Sequence, residues 1–281
     1  MDINKKLTEE LDVAKWQVDA AVNLIDEGNT IPFISRYRKE ATGSLNDEQL
    51  RKLFERLTYL RNLEEKKAQV LKSIEEQGKL TDELRAEIEA AETQVAVDDL
   101  YRPYRPKRRT RATIAKEQGL EPLANIILLQ ETDKNPKELA KEYINEEKGV
   151  KTVKDALQGA LDIIAEVVSD NADYRKAIRD LTYRLGRISS TAKKPDVKTV
   201  YDNYYKYEEE MTKIAGHRVL AVNRGEAEKV LTVKVIAPVE LIHDYLTRHV
   251  ITKNNPNTTP LLELAITDSY DRLIAPSIET E

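Results

Sequence analysis

Apolar residues recur every three or four positions through most of the first 186 residues. Gly, Pro and short polar caps interrupt them at intervals that predict a succession of short and medium helices. In "VAKWQVDAAVNLIDE" Val13, Trp16, Ala20 and Leu24 share a face, Asp12 stands where an N-cap is expected, and Gly28 ends the pattern. A short helix follows in "IPFISRYRKEATG", closed by Gly43. The clearest element opens at "NDEQ", where Asn46 and Gln49 have capping-box spacing, and runs to Gly78 without another Gly or any Pro. Leu50, Leu53, Leu57 and Leu60 form its stripe, Glu64 and Lys67 interrupt it, and Leu71 and Ile74 resume it. Two broken heptad blocks favour packing within the chain over a free coiled coil. Thr81 opens a Glu-rich helix, Pro103 and Pro106 hold the next segment out of regular structure, and helices resume after Thr110, from Pro136, after Thr152 and from about Asn171 to Gly186.

The texture changes near residue 187. "RISST" and "VLTVKVIA" concentrate β-branched residues and read as short strands, with a helix in "HRVLAVNRGE" between them and further helices in "LIHDYLTRHVI" and "TPLLELAITDSYDRLIA". The expected fold is mainly α: a multi-helical scaffold with a helix-turn-helix-like segment at about 110–130 and a few short strands in the C-terminal third. The expected domains are 1–186 and 187–281.

Charge changes this picture locally. The 281 residues carry 45 basic and 50 acidic side chains, a formal net charge of -5, so no global field draws the chain to a polyanion. Yet "YRPYRPKRRTRATIAKEQGL", residues 101–120, gathers Arg102, Arg105, Lys107, Arg108, Arg109, Arg111 and Lys116, with no acid from Leu100 to Lys116. Clustered arginines suit paired contacts to phosphate oxygens, and Tyr101 and Tyr104 offer stacking surfaces for unpaired bases. The competing reading pairs these cations with the acidic run just before them, "ELRAEIEAAETQVAVDD". In the segment that follows, Thr110 can cap a helix, Ala115 stands four residues before Gly119, and Leu120 leads into a second helix. That is the spacing of a helix-turn-helix. The match is partial: Asn125 falls where such units bury an apolar residue, and "PLANIILLQ" has no basic side chain to read a base edge.

Secondary candidates for phosphate contact are Arg36, Arg38 and Lys39 beside Phe33 and Tyr37. Their structural alternative is a buried Ile31, Ile34 and Tyr37 stripe with Arg36 paired to Glu40. Arg218 and Arg224, with His217, could grip phosphate at a helix start, while Val219, Leu220 and Val222 read as buried. Tyr201, Tyr204, Tyr205 and Tyr207 read as packing residues, because Glu208 to Glu210 oppose a polyanion there.

No catalytic constellation emerges. Asp98 and Asp99 form the only adjacent Asp pair and suit capping or pairing better than metal binding; His243 and His249 are poorly spaced for one helical metal site; Walker, dinucleotide-turn and HExxH motifs are missing. The chain is read as a non-enzyme with no cofactor and no metal. Lack of cysteine fits a reducing compartment, and lack of an apolar leader or spanning segment predicts a soluble, cytoplasmic protein.

"NTIPFISRYRKEATGSL", "LEEKKAQVLKSIEEQGKLT", "DLYRPYRPKRRTRATIAKEQGLEPLA" and "HRVLAVNRGE", four separated and ordered stretches, closely resemble the N-terminal half of the Tex family of bacterial transcription accessory proteins. The resemblance implies an elongated helical protein, a nucleic-acid partner (RNA or DNA), a link to the transcription machinery, and the helix-turn-helix label for the segment near 110–130. It also implies that an RNase-H-like domain, helix-hairpin-helix units and an OB-type RNA-binding domain lie beyond this sequence. The expected function is a non-catalytic nucleic-acid-binding scaffold. The runner-up is a protein-docking scaffold in which the basic loop makes structural ion pairs.

Overall fold

The computed structural model describes all 281 residues, which divide into two compact units, Met1–Tyr104 and Arg105–Glu281. The change of texture at residue 187 marks the first strand and lies inside the second unit.

The first unit contains α1 (Ile3–Leu11), α2 (Lys15–Asp26), α3 (Ile31–Tyr37), α4 (Asp47–Glu76), α5 (Asp82–Ala90) and α6 (Gln94–Tyr101). Its spine is α4, whose N-terminus closes as its spacing requires: the Asn46 side chain accepts from the Gln49 N–H at 2.8 Å, and the Gln49 side chain accepts from the Asn46 N–H at 3.0 Å. Leu50, Leu53, Leu57, Leu60, Leu63, Val70 and Ile74 are all buried along one face. Lys67 does not break that stripe. Its stem is buried with it, while its ammonium donates to the Glu89 carbonyl at 2.8 Å and pairs with Glu64 at 2.9 Å.

Three local expectations are corrected here. Asp12 is not the cap of α2; it ends α1 in a left-handed conformation (φ 51°), and Ala14 is the N-cap from which α2 starts at Lys15. The buried face of α2 is Val18, Ala21 and Val22, leaving Trp16 56% exposed. The Glu-rich helix is two helices, because Thr93 caps a new start by accepting from the Ala96 N–H.

The second unit is organised around α10 (Val153–Asp170), which buries residues on most of its circumference. Packed against it are α7 (Arg111–Glu117), α8 (Glu121–Leu129), α9 (Pro136–Lys141), α11 (Ala172–Leu185) and α14 (Thr259–Asp268). A three-stranded antiparallel sheet follows in the order β2–β1–β3, with β1 (Arg187–Ala192) central between β2 (Lys206–Glu210) and β3 (Leu231–Ile236). Arg187 lies opposite both Glu210 and Ile236. Helix α12 (Gly216–Ala227) precedes β3, and α13 (Val239–Val250) follows it. The C-terminal helical stretch passes through a π-helical segment, Ser269–Ile274, into α15 (Ala275–Thr280). The outer edge of β3 is closed by carboxylates, Glu226 accepting from the Val233 N–H and Glu279 from the Val235 N–H. The chain is thus mainly α-helical with a small sheet beginning about two thirds of the way along, as its pattern implies.

Candidate nucleic-acid interface

The basic segment is divided by the boundary between the units. Tyr101, Arg102 and Tyr104 belong to the first, and Arg105 to Lys116 to the second. Tyr101 and Tyr104 are half-buried with their rings against the first unit's core. The Tyr101 hydroxyl lies 2.9 Å from the Ser73 hydroxyl, and the Tyr104 carbonyl accepts from the Gln77 amide at 2.9 Å. Both tyrosines are therefore occupied in packing.

From Arg105 to Thr110 the chain has neither helix nor strand, in keeping with Pro103 and Pro106. The Thr110 hydroxyl then accepts from the Thr113 N–H at 3.0 Å and starts α7. Ala112 and Ala115 of α7, Leu120 in the turn, and Leu123, Ala124 and Ile127 of α8 are buried against α10. The closest approach is at Gly159 of α10, where an added Cβ would stand 2.3 Å from Leu120 Cδ1 and 3.2 Å from Ala115 Cβ. Asn125 faces solvent, so the polar residue that weakened the sequence match occupies no core position. The exposed positions of α8 are Glu121, Pro122, Asn125 and Leu129, none of them basic.

The cations from Arg105 to Lys116 fall into four groups. Lys107 is anchored: its ammonium bridges Glu166, at 3.5 Å, and Asp170, two carboxylates one turn apart on α10. Arg109 pairs with Glu117 at 2.8 Å and Lys116 with Glu121 at 3.8 Å, both in exposed settings where such pairs contribute only about 0–1 kcal/mol. Arg105 and Arg108 are exposed and form no ion pair or side-chain hydrogen bond. Arg111 sits beside an acidic group on α10 and α14. There, hydrogen bonds from Arg272 hold the Asp268 carboxyl below its usual range against the opposing effect of burial, with Arg111 adding to the lowering. Burial pushes the nearby Asp162 carboxyl up, although Gln158, Arg272 and Arg111 pull the other way.

The acidic run before the loop finds partners within the first unit. Glu92 pairs with Lys6 at 2.8 Å and Asp98 with Lys66. Those two carboxylates are engaged by α1 and α4, and the carboxylates paired with Lys107, Arg109 and Lys116 come from α10, α7 and α8.

The secondary candidates separate as well. Arg218 pairs with Glu209 at 2.9 Å and Arg224 with Glu228 at 2.9 Å, while Leu220 is 72% exposed rather than buried. Arg36, Arg38 and Lys39 are all exposed without ion pairs. The expected Arg36–Glu40 pair does not form, and of the proposed stripe only Ile34 is fully buried, Tyr37 being 67% exposed. No three His, Asp or Glu residues are grouped to hold a metal ion, and no helix is long and apolar enough to cross a membrane.

Fold and site define a mainly helical protein with an arginine-bearing loop at the entry to a compact two-helix unit. It belongs to the Tex family: residues 1–75 match the Tex-like protein N-terminal domain and residues 131–268 the Tex central region-like domain. The chain is 44% identical over 282 residues to the Bacillus subtilis protein YdcI, covering 99% of this chain and 39% of that one. It is 42% identical over 277 residues to the transcriptional accessory protein Tex of Neisseria gonorrhoeae, covering 98% and 34%. The human S1 RNA-binding domain-containing protein 1 is 30% identical over 296 residues, covering 98% and 29%. The chain thus spans about a third of the length of these relatives.

Proposed function

We propose that this chain is a non-catalytic nucleic-acid-binding scaffold of a transcription accessory protein, contacting the backbone of RNA or DNA through the loop from Arg105 to Arg109 and through Lys116 in the last turn of α7. The observation that carries this reading is the pair Arg105 and Arg108, exposed and without a carboxylate in a chain of net charge -5. Lys107 is a positioning residue: its hold on Glu166 and Asp170 fixes the middle of the loop and leaves its neighbours directed elsewhere. Arg109 and Lys116 can exchange weak surface partners for phosphate at little cost. Four contacts follow, in place of the seven counted along the sequence, with no base-reading element on α8. The names of the gonococcal and human relatives, a transcriptional accessory protein and an S1 RNA-binding domain-containing protein, point the same way.

Anisotropy titrations of labelled single-stranded RNA and duplex DNA across a salt series test the proposal. The four phosphates neutralised by these contacts contribute about -3 to the slope of log affinity against log salt, or roughly a 60-fold loss between about 50 and 200 mM salt, with little dependence on sequence. No binding at the lowest salt overturns it and leaves protein docking as the better reading of the loop.

A further inference from the structure

The first unit carries a second group of unpaired cations, and these are set among exposed aromatic rings. Pro32 lies in the first turn of α3, which ends at Tyr37, and the chain reverses through Gly43 and Ser44, both left-handed with φ of 60° and 65°. The loop is pinned beneath Trp16. A Cβ on Gly43 would lie 2.3 Å from the indole Cη2, and the Gln17 amide donates to the carbonyls of Thr42 and Gly43 at 3.2 and 3.1 Å. Although it covers the loop, the indole remains 56% exposed; Phe33 is 36% and Tyr37 67% exposed, their ring centroids 5.3 Å apart. The Arg38 guanidinium lies 5.4 Å from the Phe33 centroid. Arg36 to Ala41 line a groove of about 510 Å³ whose only acid is Glu40.

Burial is the ordinary fate of three large aromatic side chains, and ion pairing that of three cations; both are withheld here at α3, the loop after it and the Trp16 of α2 that covers that loop. A ligand that uses both must combine flat π faces with closely spaced negative charges. Single-stranded nucleic acid does so; a duplex keeps its faces stacked inside, and an acidic peptide leaves the rings unused. We propose that Trp16, Phe33 and Tyr37, with Arg36, Arg38 and Lys39, form a stacking site for single-stranded nucleic acid that is complete within the first unit. It extends the phosphate contact proposed for the second unit to base stacking, and it stands or falls separately from that contact.

Trp16 is the only tryptophan in the chain, so its emission reports directly on this site. The whole chain is titrated at low salt with an oligothymidylate of about ten nucleotides, with a duplex of equal length and with polyglutamate, alongside Tyr37→Ala and Arg105→Glu/Arg108→Glu variants. The expected result is saturable quenching by the single strand alone. Tyr37→Ala, at a largely exposed position, weakens it roughly five- to hundredfold, while the loop variant still shows it. Retained melting temperature of Tyr37→Ala separates this loss from unfolding. Unchanged emission at saturation, equal quenching by duplex, quenching by polyglutamate, or indifference to Tyr37→Ala would each overturn the proposal. Loss of phosphate binding in the loop variant with quenching intact would leave both readings standing.

Discussion

Gly159→Ala tests the seat that holds the loop-bearing helices on α10. In a helix interior the change is favourable by about 1 kcal/mol on backbone grounds. Against that, the new methyl would stand 2.3 Å from Leu120 Cδ1 and 3.2 Å from Ala115 Cβ, where carbon atoms pack at about 3.5–4.0 Å. Leu120 is fully buried and cannot swing into solvent, so relief requires an off-rotamer side chain or separation of the α7–α8 turn from α10, at about 1–3 kcal/mol. The net expectation is destabilisation of about 1 kcal/mol, a fall in Tm of roughly 2–4 °C for a unit of this size. The background decides the sign. Leu120→Ala alone costs about 2–5 kcal/mol, and adding Gly159→Ala to it returns the helix-propensity gain and part of the lost packing. Urea denaturation followed by circular dichroism on the four-member cycle measures this coupling. A stabilising Gly159→Ala in the otherwise unchanged protein, or equal effects in both backgrounds, refutes the reasoning.

Gln130→Ala should cost about 2–3 kcal/mol in the same denaturation assay, because this buried side chain donates to the Val250 carbonyl at 2.9 Å and accepts from the Thr252 and Lys253 N–H groups at 3.0 and 3.1 Å. An effect below about 0.5 kcal/mol would mean that water replaces those bonds. Acid should weaken the first unit: hydrogen bonds from Arg56 and Arg61 hold the Glu10 and Asp26 carboxyls below their unfolded values of 4.5 and 3.8. Their stabilisation is complete above those values and is lost as pH falls through the lower folded ones. Each exposed pair contributes about 0–1 kcal/mol, so thermal melts from pH 6 to pH 3 should show a modest decline that Glu10→Gln and Asp26→Asn flatten.

Signals that act within four residues were legible in the sequence. The Asn46–Gln49 box, the Thr110 cap and the helix starts expected at Pro136, after Thr152 and near Asn171 all coincide with observed ones, where Asn135, Thr152 and Asn171 cap their own backbones and need no distant partner. Which face a helix buries depends on what packs there: periodicity groups Trp16 with Val13, Ala20 and Leu24, whereas the first unit buries the nearly opposite face of Val18, Ala21 and Val22. Strand β2 was missed because "KYEEE" runs against strand propensity. It is held by its ladder to β1 and by neutralisation of Glu208 by Arg187 and of Glu209 by Arg218. The loop cations were legible as a group, but the division among them was not. Glu166 and Asp170 lie some sixty positions from Lys107 in the chain, and only folding brings them to it.

That division among neighbouring cations is the centre of the account, and salt dependence measures it most directly. Arg105→Ala/Arg108→Ala and Lys107→Ala should be compared with the unchanged chain in the same RNA titration. The double variant should lower the slope by about 2 and Lys107→Ala should leave the slope within about 0.5 of the original, since its charge is already neutralised by α10. Equal loss of slope in both variants, or none in the double variant, would contradict the assignment of Arg105 and Arg108 as the phosphate contacts.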